Sequence, residues 1–318
     1  MRPSSLLSEP DAMAIGPAGV ELFGQWHLRL EDGLKALPDK PEETPASAMR
    51  ALWLRSAGVL VSPQAACEQT LVALNSVQQA GLGEWIAKRL AGTPLAHLTE
   101  RQRFMGAELI AGPEALIPRR ETELLGEAAA ELLQTALSHG GEGIALDVCT
   151  GSGNLALGIA LRVRGAKVLA ADLSDEAVKL ARRNAALLGL ESRVEVRQGD
   201  LLEPFDEPDF LGRVDVLVCN PPYISSGKLA AMPTEISGFE PQLAFDGGPF
   251  GIRILQRLIR ESPRFVRAGG WLAFEVGLGQ GPAVIKRLVP SAGFDQVRPL
   301  ADTLGQVRAI LARVQTLP

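Results

Sequence analysis

From residue 17 onward, apolar positions recur at three- and four-residue steps, with Phe23, Trp26, Leu30, Leu34 and Leu37 in series. That spacing places side chains on one face of a helix. The stretch PDKPEETP, residues 38 to 45, interrupts it with three prolines. Further helical stripes are predicted over 46 to 60, 63 to 79 and 82 to 91, and the Ser/Pro-rich residues 1–16 read as a loose tail. Residues 17–98 therefore form an expected helical domain. Over 99–118, short apolar runs split by Gly112-Pro113 read as a β-hairpin linker.

Past residue 119 the pattern changes. After a helix over 120 to 137, short runs that are apolar almost throughout alternate with helical ones. GIALDV, KVLAAD, RVEVRQ and RVDVLVC read as strands, with helices expected over 153 to 164 and 175 to 188. Beyond a long loop come a helix over 250 to 267, GWLAFEV, a helix over 280 to 291, then DQVRPL and RAILARV. Strands without polar alternation, separated by helices, imply a mostly parallel sheet covered on both faces. The expected fold class for 119–318 is thus α/β, a doubly wound, Rossmann-like sheet, whose ligands sit at the carboxyl ends of the strands.

Composition narrows the partners. A net charge of -5 disfavours sequence-independent binding to a phosphate backbone, so no direct nucleic-acid specificity is expected. Cys67, Cys149 and Cys219 are odd in number and lack metal-ligand spacing, as do His27, His97 and His139. No metal site is expected. Without a membrane-length apolar run or a signal-like start, the reading is a cytoplasmic protein with reduced thiols, taken as a monomer.

The strand ends carry the candidate chemistry. The first closes as LDVCTGSGNLA, where Gly151 and Gly153 let a ligand approach backbone N–H groups at a helix start. Gly151-x-Gly153-x-x-Ala156 also fits a dinucleotide fingerprint. The second strand ends in Asp172, 21 residues past Gly151, placed to take ribose hydroxyls or else to serve the helix start at Ser174 and Asp175. The third ends in QGD, with Asp200 a candidate acceptor for an adenine amino group or an ordinary solvated turn residue. Together they describe a pocket for an adenosine-containing cofactor, a nicotinamide dinucleotide or S-adenosylmethionine. Asp147, four residues before Gly151, and the mid-chain position of the fingerprint favour the second.

The fourth strand ends in Asn220-Pro221-Pro222-Tyr223, with the chain's only tyrosine. A carboxamide nitrogen is a poor nucleophile because its lone pair is delocalised. Methylating it requires two fixed acceptors that hold the planar NH2 with its lone pair facing the electrophile. The Asn220 side-chain oxygen and the Pro221 carbonyl can serve, with Pro222 stiffening the turn and Tyr223 offering a flat face. Such a reaction is governed by positioning.

With these residues in view, the chain resembles the protein-glutamine amide N-methyltransferases of the HemK/PrmC type over roughly residues 90 to 315. The resemblance rests on NPPYI (220 to 224), LDVCTGSGNLALGIA (146 to 160), LIPRRETE (116 to 123), GFEP (238 to 241) and FEVGLGQ (274 to 280). It implies a seven-stranded methyltransferase sheet and S-adenosylmethionine as cofactor. Cys149, Thr150, Gly151, Ser152 and Gly153 would border that cofactor, together with Asp172, Leu173, Leu201 and Asn220. Phe104 falls where the family has an aromatic near the cofactor, and Asn220 to Tyr223 would hold a target glutamine. The implied substrate is the Gly-Gly-Gln loop of a translation release factor, or in one branch a ribosomal protein, recognised by the helical domain. Two departures stand out: Arg120 replaces the family's proline at the expected cofactor edge, and the segment before Phe104 lacks the usual Gly.

Other readings make different demands. Adenine-specific DNA methyltransferases use the same tetrapeptide but usually add a basic target-recognition region and flip a base. A small-molecule methyltransferase would share the site and differ in the helical domain. An oxidoreductase would use the glycine turn and leave Asn220 to Tyr223 idle, and a non-catalytic binding module would bind cofactor weakly.

Overall fold

The computed structural model describes residues 7–35, 40–140, 142–232, 234–288 and 293–315. Contacts divide the chain into two units. One comprises Met1–Arg103, Glu108–Pro113 and Pro233–Phe239, the other Phe104–Ala107, Glu114–Met232 and Glu240–Pro318.

The helical unit begins earlier than the sequence suggested. Helix α1, Glu9–Gly33, is capped by Ser8, with Pro10 in its first turn, where a missing N–H costs nothing. The chain kinks at Gly16, ahead of Pro17, and helix resumes. Residues 9 to 16 are therefore not a loose tail, while the rest of that expectation, residues 1 to 6, lies outside the described residues. Asp11 anchors the first segment: it is buried and accepts from the Ser8 hydroxyl, the Arg50 guanidinium at 2.8 Å and the Leu71 amide at 2.8 Å.

Helix α2, Pro45–Ser56, starts with a reciprocal cap between Thr44 and Ser47 and buries Met49, Leu52, Trp53 and Leu54. The stripe read as one helix over 63 to 79 is two: α3, Pro63–Glu68, and α4, Ser76–Leu90. Between them the backbone is extended, because Arg50 binds the carbonyls of Ala66 and Gln69, and Asn75 caps a new helix with Gln78. Helix α4 then runs through Gly81 and Gly83, merging with the segment expected at 82 to 91. A methyl group at Gly83 would press on Trp26, 3.3 Å away. Helix α5 spans Leu95–Thr99.

Strands β1, Arg101–Phe104, and β2, Ala107–Ile110, form the expected hairpin, but its turn is Met105-Gly106, not Gly112-Pro113. Both turn residues have positive φ, 48° and 83°, as a two-residue hairpin turn requires. In the helical unit Glu108 accepts from the Ser62 amide and hydroxyl. In the sheet unit the Met105 amide donates to Glu123, and glycines at 126 and 158 leave room for the Met105 sulfur.

The sheet unit holds the expected seven strands: β3 Ile144–Val148, β4 Lys167–Asp172, β5 Val194–Gln198, β6 Val214–Cys219, β7 Val266–Glu275, β8 Phe294–Ala301 and β9 Val307–Val314. Their order is β5-β4-β3-β6-β7-β9-β8, parallel except for β9, which runs antiparallel to β7 and β8. Every residue of β3 and β6 is buried, which is why these strands read as apolar runs, each interrupted by one buried aspartate, Asp147 and Asp215. Helices α6 Glu123–Ser138, α7 Asn154–Arg162, α8 Asp175–Leu187, α10 Arg253–Glu261 and α11 Gly281–Leu288 alternate with them, and the short α9, Thr234–Ser237, belongs to the helical unit. The helix expected over 250 to 267 stops early because Pro263 opens a 3-10 turn, after which the chain enters β7 at Val266. The end of the helix expected at 280 to 291 lies partly outside the described residues. Among the described residues no helix is long and apolar enough to cross a membrane.

Candidate active site

The strand order reverses between β3 and β6, and an open cleft of about 1020 Å³ lies at their carboxyl ends. Its walls come from the turn after β3, the ends of β4, β5 and β6, and residues 114 to 122 and 241 to 244.

The turn after β3 is built to keep backbone close to a ligand. Cys149, Gly151 and Gly153 have φ of 59°, 56° and 82°. At Gly153 a Cβ would stand 3.1 Å from Ala181 and 3.2 Å from Leu157, so conformation and space both call for glycine. Asp147 holds the turn from below: one carboxylate oxygen accepts from the Thr150 hydroxyl at 2.6 Å and the Ala156 amide at 3.1 Å. The other, Oδ1, is buried and has no hydrogen-bond partner among the described residues. Burial pushes this carboxyl up to about 7, although the Thr150 and Ala156 bonds pull the other way.

At the end of β4, Asp172 accepts from the Gly151 amide at 2.8 Å and the Ser174 amide at 2.9 Å. Burial raises its pKa against those backbone bonds. The Leu173 amide is a further backbone donor to this carboxylate, which also lines the cleft. Leu173 and Leu201 line the same wall, and Asp200 is paired with Arg257 at 2.8 Å. That pairing engages one of the two carboxylate oxygens of Asp200.

After β6, Asn220 and Pro222 line the cleft. The turn is braced by the segment 245 to 251: the Ile224 amide donates to Phe245, and the Gly247 amide donates back to Ile224. Gly251 packs so tightly under the Tyr223 carbonyl that a side chain there would overlap it. That carbonyl also accepts from Gln280 at 3.0 Å. Among the described residues no donor reaches the Pro221 carbonyl.

Behind the turn runs a chain of side chains that sequence reading did not assign. The Tyr223 hydroxyl donates to Glu275 Oε1 at 3.0 Å, the Thr122 hydroxyl donates to Glu275 Oε2 at 2.7 Å, and Asn220 Nδ2 donates to Thr122 Oγ1 at 3.3 Å. Burial pushes Glu275 up to about 7 against the pull of those two hydroxyls; Glu121 adds to the rise and Arg308 opposes it. Tyr223 is raised as well, by burial and by the Glu275 charge.

The cleft therefore gathers Cys149, Thr150, Gly151, Asp172, Leu173, Asp200, Leu201, Asn220 and Pro222. Asp147, Ser152, Gly153, Pro221 and Tyr223 adjoin these residues in the chain or by hydrogen bond and are not part of the lining. Phe104, expected beside the cofactor, is 1% exposed and outside the lining. The cation at the edge is Arg119, not Arg120. Arg119 is buried, lines the cleft and pairs with Glu240 at 2.6 Å, whereas Arg120 opens a 3-10 turn and is exposed. Thr122 and Glu275 were legible as parts of LIPRRETE and FEVGLGQ, but their pairing depends on the fold.

The family model described as "Methyltransferase small domain" matches residues 126–236. A release factor glutamine methyltransferase of Moorella thermoacetica is 40% identical over 229 residues, covering 71% of this chain and 77% of that one. Another, from Koribacter versatilis, is 38% identical over 244 residues, covering 76% and 82%. Among solved structures, the hMettl16 catalytic domain matches with TM-score 0.54 at 18% identity, covering 74% of this chain and 83% of that one, a likeness of fold. The chain belongs to the release factor glutamine methyltransferase family.

Proposed function

We propose that this protein transfers a methyl group from S-adenosylmethionine to the side-chain amide nitrogen of a glutamine in a peptide chain release factor, in the cytoplasm where translation occurs. The observation that carries the reading is the placement of Asn220 in the cleft wall, its Nδ2 tied back to Thr122 and its turn braced on both sides.

The residues present fit the cofactor. The positive-φ turn at Cys149 to Gly153 brings backbone to the cleft floor, Asp172 offers carboxylate oxygens for ribose hydroxyls, and Leu173 and Leu201 supply apolar walls for an adenine. When bound, S-adenosylmethionine supplies an electrophilic methyl group on a sulfonium.

This chain's own residues do the positioning. Asn220 Oδ1 and the Pro221 carbonyl accept the two hydrogens of the target NH2 and fix its plane, which sets the direction of the nitrogen lone pair. Orientation of this kind supplies effective molarities of ~10⁵ M or more. The methylated nitrogen becomes acidic and releases its proton to water, so a strong general base is not required. Glu275 is buried behind the turn and serves geometry.

The test is incubation of the protein with labelled S-adenosylmethionine and purified release factor, followed by mass mapping. Label on the glutamine of the Gly-Gly-Gln loop supports the reading. Transfer to a ribosomal protein or a small molecule instead, or no transfer, overturns it.

A further inference from the structure

We propose that Glu275 and Thr122 are positioning residues that decide which end of the Asn220 carboxamide faces the target. The inference rests on the methyl-transfer reading above and deepens it.

The oxygen and NH2 ends of an asparagine side chain have nearly the same shape, so rotation by half a turn exchanges acceptor for donor without steric cost. In its role here Asn220 must present oxygen to the target, and something must forbid the other orientation. The hydrogen-bond chain behind the turn provides it. An ionised carboxylate can only accept. Glu275 takes that form as pH rises past about 7, and the Thr122 hydroxyl must then give its single hydrogen to Oε2, at 2.7 Å. The Thr122 oxygen is then left as an acceptor toward Asn220, at 3.3 Å. Asn220 satisfies it with Nδ2 and turns Oδ1 to the cleft.

The same carboxylate fixes the far end of the turn. Its Oε1 takes the Tyr223 hydroxyl at 3.0 Å, while Gly277 lies close enough to the phenol ring that a Cβ would stand 3.0 Å from it. One buried group thus sets both termini of Asn220-Pro221-Pro222-Tyr223. The charged and titratable groups facing Glu275 are Tyr223, Glu121 and Arg308, the last two paired with each other at 2.5 Å. A fully buried acid at the end of the interior strand β7 costs stability, and a residue that does so beside a cleft is a functional candidate. A group at position 275 that can donate reverses the chain: Thr122 then gives its hydrogen to Asn220 Oδ1, and the target meets NH2 where it needs an acceptor.

The experiment compares Thr122→Val, which keeps shape and removes the hydroxyl, with Thr122→Ser, which restores it, and with Glu275→Gln. The chain has four asparagines, Asn75, Asn154, Asn184 and Asn220, so labelling with [15N]asparagine yields four side-chain amide pairs. The Asn220 pair is identified by its loss in Asn220→Asp. We expect the Asn220 resonances to move in Thr122→Val and to return in Thr122→Ser. We expect kcat for release-factor methylation to fall about tenfold or more in Thr122→Val, with affinity for S-adenosylhomocysteine within about twofold, and Thr122→Ser to recover to within about threefold of the parent. Glu275→Gln should shift the same resonances. Unmoved Asn220 resonances, a parental kcat in Thr122→Val, or a loss matched by equal loss of cofactor affinity overturns the proposal. If the parent protein itself transfers no methyl group to release factor, the functional reading fails, while the resonances still report whether Thr122 and Glu275 orient Asn220.

Discussion

The Gly151 amide donates to the Asp172 carboxylate at 2.8 Å, tying the turn after β3 to the end of β4. One carboxylate thus shapes the glycine turn and faces the cleft. Asp172→Ala should weaken S-adenosylmethionine binding by about 1–3 kcal/mol, the scale of a charge-assisted hydrogen bond together with the loosened turn. Calorimetry on the variant checks it, and parental affinity would reject the ribose contact.

Asn220→Ala should lower kcat by at least ~10² through lost orientation, with cofactor affinity nearly intact. Steady-state kinetics beside cofactor titration separates the two. An active variant contradicts the acceptor role.

Gly251 has φ of 68° and lies under the Tyr223 carbonyl, so Gly251→Ala meets backbone strain and overlap together. A loss of about 1–3 kcal/mol is expected, with displacement of the Asn220 to Tyr223 turn and reduced kcat. Denaturant unfolding measures it, and unchanged stability would show that the segment 245 to 251 does not brace the turn.

Stability should depend on pH through the buried acids. Glu275 rises from an ordinary 4.5 to about 7, and Asp147 from 3.8 to about 7, both chiefly by burial. The unfolded chain therefore releases these protons first as pH rises. Their contribution is fully present below the unfolded values and is lost as pH climbs to about 7. Glu275→Gln removes one of them, so its Tm should fall less than the parent's between pH 5 and pH 8. Equal slopes would mean that Glu275 does not titrate in this window.

In the helical unit, burial pulls the Asp11 pKa up, yet Arg50, Ser8 and the Leu71 amide outweigh it and hold the carboxyl at about 2. Asp11→Ala removes the carboxylate paired with Arg50, whose remaining bonds go to the Ala66 and Gln69 carbonyls, and should cost about 3 kcal/mol, read as a lowered Tm. A variant as stable as the parent would return residues 9 to 16 to the status of a dispensable tail.

The sheet was legible because strands buried on both faces, such as Val214–Cys219, carry no polar alternation, and because residues lining the cleft lie at or just after their ends. Asn220, Asp172 and the glycine turn could be read for that reason. The hairpin turn was misplaced because Met105, a residue that rarely takes positive φ, occupies it. The first segment of α1, residues 9 to 16, was not legible because Pro10 reads as a breaker unless Ser8 is recognised as its cap. The pairing of Thr122 with Glu275 spans 153 positions and could come only from the fold. Arg119 and Arg120 are adjacent and chemically alike, and only backbone direction shows which one faces the cleft.

The most direct measurement of the central claim is a structure of the protein with S-adenosylhomocysteine and a Gly-Gly-Gln peptide. The account predicts the glutamine NH2 bonded to both Asn220 Oδ1 and the Pro221 carbonyl, at ~2.7–3.2 Å. A glutamine amide bound elsewhere, or Asn220 presenting its own NH2 to it, would contradict the account.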